Sequence, residues 1–270
     1  PTLKEKDGFR GGPMYYLSRR TGILFSVLCL LASFGVGNMV QSNTAFCAMR
    51  MLFPESTGYI QILMIAAAIA VVCILSGGFS RVSHVTEKLL PALAVLYIGS
   101  CVAVILSDLP ASGRAFFLIF RDAFSLRSAA GGAGGYLLMR AIRTGCAKGI
   151  FTNEAGLGSA PIAHAAADCN FPAEQGLWGI FEVFFDTIVM CTLTGIVVIG
   201  ANPSGVLSAD GVSVTMAAFS SSLGIWSAYL IGFSVLLFAF ASILAWGSYG
   251  AACLTYLGGG RRALCIYYFI

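Results

Sequence analysis

Charged residues are scarce in this chain. Asp, Glu, Lys and Arg make up 10% of its 270 residues, whereas 58% are hydrophobic. A soluble domain carries about a quarter charged residues, so this composition excludes an ordinary water-facing globular surface. Apolar runs of roughly 20 residues, long enough to cross a bilayer, recur along the chain. The composition therefore predicts an all-α polytopic membrane protein.

Metal-binding patterns are also lacking. The two histidines lie far apart in sequence, and the nine cysteines are scattered without a CxxC pair. This spacing offers no Cys/His metal centre, and it predicts that the cysteines serve as small buried hydrophobes. The formal net charge of +4 is too small to indicate a nucleic-acid partner. We expect the basic residues to orient the helices in the bilayer instead.

The ends of the chain suggest a longer parent protein. The first residue is Pro1 rather than Met, and the last apolar segment, residues 263–270, is too short to span a bilayer. We therefore expect this sequence to be an internal piece.

The apolar runs predict the order of the membrane spans. Residues 82–91 read as a polar lead-in, and residues 111–128 alternate basic and aromatic side chains in a way typical of a helix at the membrane interface. A cytoplasmic N-terminal loop agrees with most of the Lys and Arg placement, but it leaves the arginines of the interfacial helix on the opposite side. The predicted spans are residues 21–50, 58–79, 89–106, 174–200 and 225–257, with a short segment at 214–223.

Residues 129–170 are too polar for a lipid-facing helix. They contain GIFTNEAGLGSAP at 149–161, where Gly149, Gly156 and Gly158 permit irregular backbone and Pro161 suits the first turn of a new helix. The pattern predicts a half-helix, an unwound segment around 150–158 and a second half-helix from about Ser159. Irregular backbone at membrane depth is tolerated where it lines a cavity, and broken helices mark transporter binding sites. A plain interfacial loop is the alternative.

The sequence GIFTNEAGLGSAPIAHAAA closely resembles the sodium:alanine (alanine/glycine:cation) symporter family. The likeness continues, in the same order, through nearly the whole chain. It includes DGFRGGPMYY at 7–16, LASFGVGNMVQSN at 31–43, VTEKLLP at 85–91, EQGLWGIFEVFFDTIVMCTLTG at 174–195 and FAFASILAWGSYG at 238–250.

The resemblance implies a fold and an activity. It implies the inverted-repeat amino-acid transporter fold (LeuT-like), with residues 1–270 as one domain that runs from the third to the start of the ninth core helix and lacks the first two. The broken helix would occupy about 130–168. The implied function is sodium-coupled symport of alanine or glycine in the plasma membrane, the inner membrane in a bacterium. The expected partners are the amino acid, sodium and the lipid bilayer, without a cofactor or an enzymatic reaction.

The resemblance also assigns a substrate site. Carbonyls near Phe151 and Thr152 would accept from the substrate ammonium, and the Phe151 ring would cover the substrate, with Asn153 beside it. Gln41 can donate or accept at the same depth, although a polar bridge between two helices is its plainer interpretation. Ser242 and Trp246, four residues apart, share a helix face and would complete the pocket. We expect Trp246 to limit the size of the substrate.

The predicted ion site is less complete. Ser242 offers the natural hydroxyl for sodium, but Ala241 stands where the family often has a second hydroxyl. Glu154 either braces the break or binds the ion. Glu182 and Asp186 share a helix face, and we expect them to pair with Arg140, Arg143 or Lys148 rather than to relay protons. A proton-coupled carrier of the same fold and a non-transporting receptor or channel are the rival functions.

Overall fold

The computed structural model describes residues 3–5, 8–124, 132–154, 156–167, 169, 171–201 and 211–270. A short antiparallel hairpin, β1 (Leu3–Glu5) and β2 (Gly8–Arg10), pairs Leu3 with Arg10. All other regular structure in these residues is helical. The α-helices are α1 (Pro13–Tyr16), α2 (Arg19–Ala32), α3 (Val40–Leu52), α4 (Thr57–Leu75), α5 (Gly78–Ser107), α6 (Leu109–Ala123), α7 (Gly132–Thr152), α8 (Ala160–His164), α9 (Pro172–Phe184), α10 (Cys191–Ala201), α11 (Gly211–Leu223), α12 (Ile225–Tyr256) and α13 (Arg261–Phe269).

Two of the long helices contain a π-helical stretch. The first π segment, Ser33–Met39, joins α2 to α3, and the second π segment, Phe185–Met190, joins α9 to α10. A π turn closes its hydrogen bonds from residue i to i+5 rather than i+4, and such turns occur frequently at functional sites. Both segments lie in the middle of helices that are long enough to span a membrane.

Length and composition confirm the prediction of a polytopic membrane protein. Five helices of the described residues are long and apolar enough to cross a bilayer. They match the predicted spans closely, although most begin or end a few residues away from the predicted boundary. The spans are Arg19–Leu52, Gly58–Leu75, Gly78–Ser107, Pro172–Ala201 and Ile225–Tyr256.

The predicted start of the third span was wrong. Residues 82–91 are not a lead-in outside the helix, because α5 runs without interruption from Gly78 to Ser107 and contains Pro91. Polar side chains do not end a helix that can extend beyond the bilayer. The Thr86 hydroxyl donates a hydrogen bond to the Val82 carbonyl at 3.0 Å, within the helix. The helix absorbs Pro91 as membrane helices commonly do, at the loss of one backbone hydrogen bond.

The chain divides into two compact units. Unit 1 comprises Pro1–Tyr97, Gly158–Asn170 and Ala228–Ile270. Unit 2 comprises Ile98–Leu157 and Phe171–Ser227.

In unit 1 the α2–α3 span runs antiparallel to α12. Along the contact, the residue numbers of α12 decrease while those of α2 and α3 increase. Small residues on this seam let the helices approach closely, as is typical of membrane helix pairs. The contacts join Gly22 to Tyr256, Cys29 to Cys253, Ser33 to Gly250, Gly37 to Trp246 and Phe53 to Tyr229.

In unit 2 α10 packs against α6 and α11. The start of α6 is fixed by Asp108, whose Oδ1 accepts a hydrogen bond from the Ala111 N–H at 2.9 Å. A methyl group at Gly200 would lie 3.8 Å from Ala115, and Ala115 is buried. Small side chains therefore set the close contact between α6 and the last turns of α10.

Candidate functional site

The helix that begins at Gly132 is interrupted after Thr152. Helix α7 ends there and α8 starts at Ala160, so α7 continues through residues 150–152, where the sequence suggested unwound backbone. The N–H of Asn153 still donates to the Gly149 carbonyl at 3.1 Å. After Asn153 the backbone enters the left-handed region, with positive φ.

Three residues in the interruption have positive φ. Gly156 and Gly158 have φ of 79° and 74°, which glycine adopts at no steric cost. Glu154 has φ of 51° and is the one non-glycine residue with positive φ in the described part of the chain. Such a conformation persists where the surrounding structure imposes it, and it clusters at functional sites.

A side-chain hydrogen bond ties the interruption to the second π segment. Thr187 Oγ1 donates to Asn153 Oδ1 at 2.6 Å, and both side chains are partly buried. This is a short hydrogen bond within unit 2. This bond uses one lone pair of the amide oxygen, and the Asn153 amide nitrogen keeps two N–H donors for another partner.

The second π segment also holds an unsatisfied acid. Asp186 Oδ2 is buried and has no hydrogen-bond partner among the described residues. The expected pairs of Asp186 with Arg140, Arg143 and Lys148 are not formed, because these three basic side chains are exposed and none reaches it in the residues that the structure describes. A buried carboxyl oxygen without a donor is costly unless a proton or another cation accompanies it.

In unit 1 the antiparallel seam brings two predicted site residues to one level. Gln41 lies one helical turn beyond Gly37, and Ser242 lies one turn before Trp246. The Gly37–Trp246 contact on one side and the Phe53–Tyr229 contact on the other fix this register. Ser242 is partly buried and has no hydrogen-bond partner among the described side chains and carbonyls.

Two other serines of α12 show why that matters. Ser234 donates to the Leu230 carbonyl at 2.9 Å, and Ser248 donates to the Ala245 carbonyl at 2.7 Å. These back-bonds satisfy both hydroxyls within the helix. Ser242 keeps its hydroxyl for another partner.

Trp246 is buried, with 6% of its surface exposed. Its indole crosses the first π segment so closely that a methyl group on Gly37 would lie 2.5 Å from the ring. The edge of the neighbouring Tyr249 ring, with centroids 5.7 Å apart, packs against it. Glycine at position 37 is therefore required by the close approach of the indole.

The predicted residues thus fall into two groups. Gln41, Ser242 and Trp246 belong to unit 1, together with Gly158 and Pro161, which occupies the second position of α8. Gly149, Phe151 and Thr152 form the last turn of α7 in unit 2, followed by Asn153, Glu154 and Gly156. Phe151 is partly buried and its carbonyl accepts from the Glu154 N–H at 3.2 Å, whereas Thr152 is exposed.

Sequence reasoning missed two residues of these groups. Thr187 stands beside Asp186 in an otherwise apolar run, and this polar pair was the available signal. Gly37 carries no chemical group, and only its place in a glycine-rich stretch one turn before Gln41 could have indicated a close contact.

Comparison with known proteins agrees with a polytopic membrane protein. The sodium:alanine symporter family matches residues 2–270. An uncharacterized transporter of Haemophilus influenzae is 38% identical over 96% of this chain and 58% of its own length. The probable sodium/glutamine symporter GlnT of Bacillus subtilis is 36% identical over 98% of this chain and 55% of its own. The sodium/alanine symporter AgcS of Methanococcus maripaludis is 34% identical over 96% of this chain and 58% of its own.

The chain therefore spans little more than half the length of these curated relatives, 55% to 58%.

Proposed function

The chain belongs to the sodium:alanine symporter family, and from that premise we propose that its parent protein couples sodium entry to the uptake of a small neutral amino acid, alanine or glycine. This chain is part of an amino-acid carrier rather than an enzyme. The plasma membrane is its proposed location. The fold that we propose is the inverted-repeat one, with α2–α3 as the third core helix and α12 as the eighth. Corresponding helices of inverted repeats run antiparallel, as these two do.

The interruption between Thr152 and Ala160 carries the proposal. The Phe151 carbonyl accepts from the Glu154 N–H at 3.2 Å, so its second lone pair and the Thr152 carbonyl are the acceptors that we propose for the substrate ammonium. The hydrogen bond from Thr187 holds the Asn153 oxygen on the side of the second π segment. We propose that the two N–H donors of the amide bind the substrate carboxylate.

Gln41 and Ser242 are the two polar residues that we propose for substrate and ion binding in unit 1. The Gln41 amide hydrogen-bonds the substrate, and the free Ser242 hydroxyl contributes one oxygen to sodium. Ala241 is buried and offers no second hydroxyl, so the other sodium ligands are backbone carbonyls and groups elsewhere in the parent. Glu154 stabilises the left-handed turn of the break, and Trp246 limits the volume next to Ser242.

Uptake into proteoliposomes tests the proposal directly. The intact parent protein is reconstituted, and labelled alanine is supplied with an inward sodium gradient, with an inward proton gradient, or with neither. We expect concentrative uptake with sodium alone, and competition by glycine. Glutamine belongs among the competitors because one similar protein is named a probable sodium/glutamine symporter. Uptake that does not depend on sodium refutes sodium coupling. Competition by glutamine but not by glycine refutes alanine or glycine as the substrate.

Proton coupling is the second candidate, and Asp186 favours it. Its buried Oδ2 lacks a donor among the described residues, as expected for a carboxyl that binds and releases a proton. The proton-gradient arm of the same experiment decides between the two ions, with Asp186→Asn as the variant that abolishes proton-driven uptake.

A further inference from the structure

A cavity lies between α6 and α10 in unit 2, and none of its lining residues belongs to the proposed transport site. It has a volume of about 470 Å³, and most of its lining comes from α6, including Arg114, Phe117, Leu118 and Arg121. Arg114 and Arg121 are about two turns apart, with Phe117 and Leu118 between them on the same face of the helix. The opposite wall is formed by Ile199 and Gly200.

The charge of the cavity is positive. No hydrogen bond or ion pair joins Arg114 to another described residue. Arg121 donates from Nε to Asp122 Oδ1 at 3.0 Å. Both partners are more than half exposed, so this pair is weak, and the two terminal nitrogens of Arg121 stay outside it. The lining residues other than the arginines are apolar or glycine.

The depth of the cavity follows from the spans that surround it. Ile199 and Gly200 belong to the last turn of the span that ends at Ala201, and α6 begins two residues after the span that ends at Ser107. The cavity therefore opens where two spans leave the hydrocarbon, at the level of lipid headgroups. Phe116 and Phe120 on α6, and Phe124 directly after its end, lie at intervals of four and are exposed. A helix with exposed aromatic residues beside a basic face is typical of a membrane surface.

We propose that this cavity binds the phosphate of an anionic phospholipid, with Arg114 and Arg121 on the phosphate and the exposed phenylalanines among its acyl chains. Guanidinium groups bind phosphate oxygens through paired N–H donors. Basic pockets between membrane helices bind anionic headgroups for the same reason. A cytoplasmic N-terminal loop places these arginines on the opposite side of the membrane, where few Lys and Arg are expected. Binding of an anionic lipid gives the arginines a role on that side.

Native mass spectrometry of the intact parent protein in detergent tests the proposal. Phosphatidylglycerol and phosphatidylcholine are titrated against the wild type and against Arg114→Gln/Arg121→Gln. Each arginine near the membrane surface contributes about 1 kcal/mol, so we expect the double variant to lose about 30-fold in affinity for phosphatidylglycerol. Affinity for phosphatidylcholine should not change. Arg19→Gln/Arg20→Gln, which removes the same charge from the exposed start of α2, is the matched control.

Every other outcome overturns the proposal. Equal affinity of the wild type for the two lipids shows that the cavity does not select a negative headgroup. An equal loss in the control shows a general effect of charge. If inorganic phosphate at the same concentration as phosphatidylglycerol displaces the lipid, the cavity is a site for free phosphate. The melting temperature of each variant in phosphatidylcholine reports folding separately, and Arg114→Lys/Arg121→Lys, which keeps the charge, should retain part of the affinity.

Discussion

The hydrogen bond from Thr187 to Asn153 gives the sharpest test of the site. Thr187→Val keeps the shape of the side chain and removes the hydroxyl. The partly buried amide oxygen of Asn153 then loses a donor at 2.6 Å. A lost hydrogen bond costs about 0.5–1.5 kcal/mol, and a stranded buried acceptor costs about 1–3 kcal/mol. The amide is then free to rotate, and its N–H donors point at the substrate in a smaller fraction of molecules.

We expect the alanine concentration at half-maximal uptake to rise about 5- to 30-fold in Thr187→Val, which corresponds to about 1–2 kcal/mol. Sodium-driven uptake of labelled alanine by the reconstituted parent measures it. Thr187→Ser keeps the hydroxyl and should behave like the wild type. Asn153→Asp accepts from Thr187 but cannot donate, so it should lose alanine affinity although the anchor is intact.

Two results would refute this reasoning. If Thr187→Val has the alanine and sodium dependence of the wild type, the anchor does not matter for transport. If Asn153→Asp keeps its alanine affinity and needs less sodium, the side chain binds the cation rather than the carboxylate. Melting temperatures of the purified variants distinguish both cases from misfolding.

Four further predictions concern unit 1. Ser242→Ala should raise the sodium concentration for half-maximal uptake, and unchanged sodium activation would remove this hydroxyl from the ion site. Gln41→Ala should cost about 1.5–3 kcal/mol of alanine affinity, and a normally folded variant with wild-type affinity would exclude contact with the substrate. Trp246→Ala should let valine, leucine and methionine compete with labelled alanine; a variant with robust alanine uptake that all three leave unaffected would show that the indole is not the size limit. Gly37→Ala should lower the melting temperature because its methyl group meets the indole, whereas Gly35→Ala, with nothing within 4 Å of the added atom, should not; equal melting temperatures would contradict the contact.

Hydrophobicity alone was enough to predict the spans. Residues 58–75 and 225–256 are apolar over a bilayer length, and neither prediction needed a tertiary contact. The start of α5 could not be predicted in this way, because polar residues 82–91 are compatible with either a loop or a helix that protrudes from the bilayer. Hydrophobicity reports the solvent around a segment, and it does not report the backbone conformation of its polar ends.

The details of the site needed contacts between distant residues. The bond between Asn153 and Thr187 joins residues that are 34 apart in sequence, and no local pattern encodes it. The π segments are equally hidden, since one additional residue in a turn barely changes an apolar sequence. Gly156 and Gly158 adopt positive φ, and the backbone preference of glycine is a local property that a sequence can indicate.

The first π segment holds an additional residue without changing the rotational phase of the helix that follows it. An α-helix advances by about 100° and 1.5 Å for each residue, and a π turn holds one residue more than an α turn. Loss of one residue between Ser33 and Met39 would restore a plain α-helix. Because the additional residue is held within one turn, its loss would leave the residues after Met39 in their present phase, and Gln41 would stay at the level of Ser242. In alignments of related carriers, a single-residue gap at this place therefore leaves the orientation of the pocket residues unchanged.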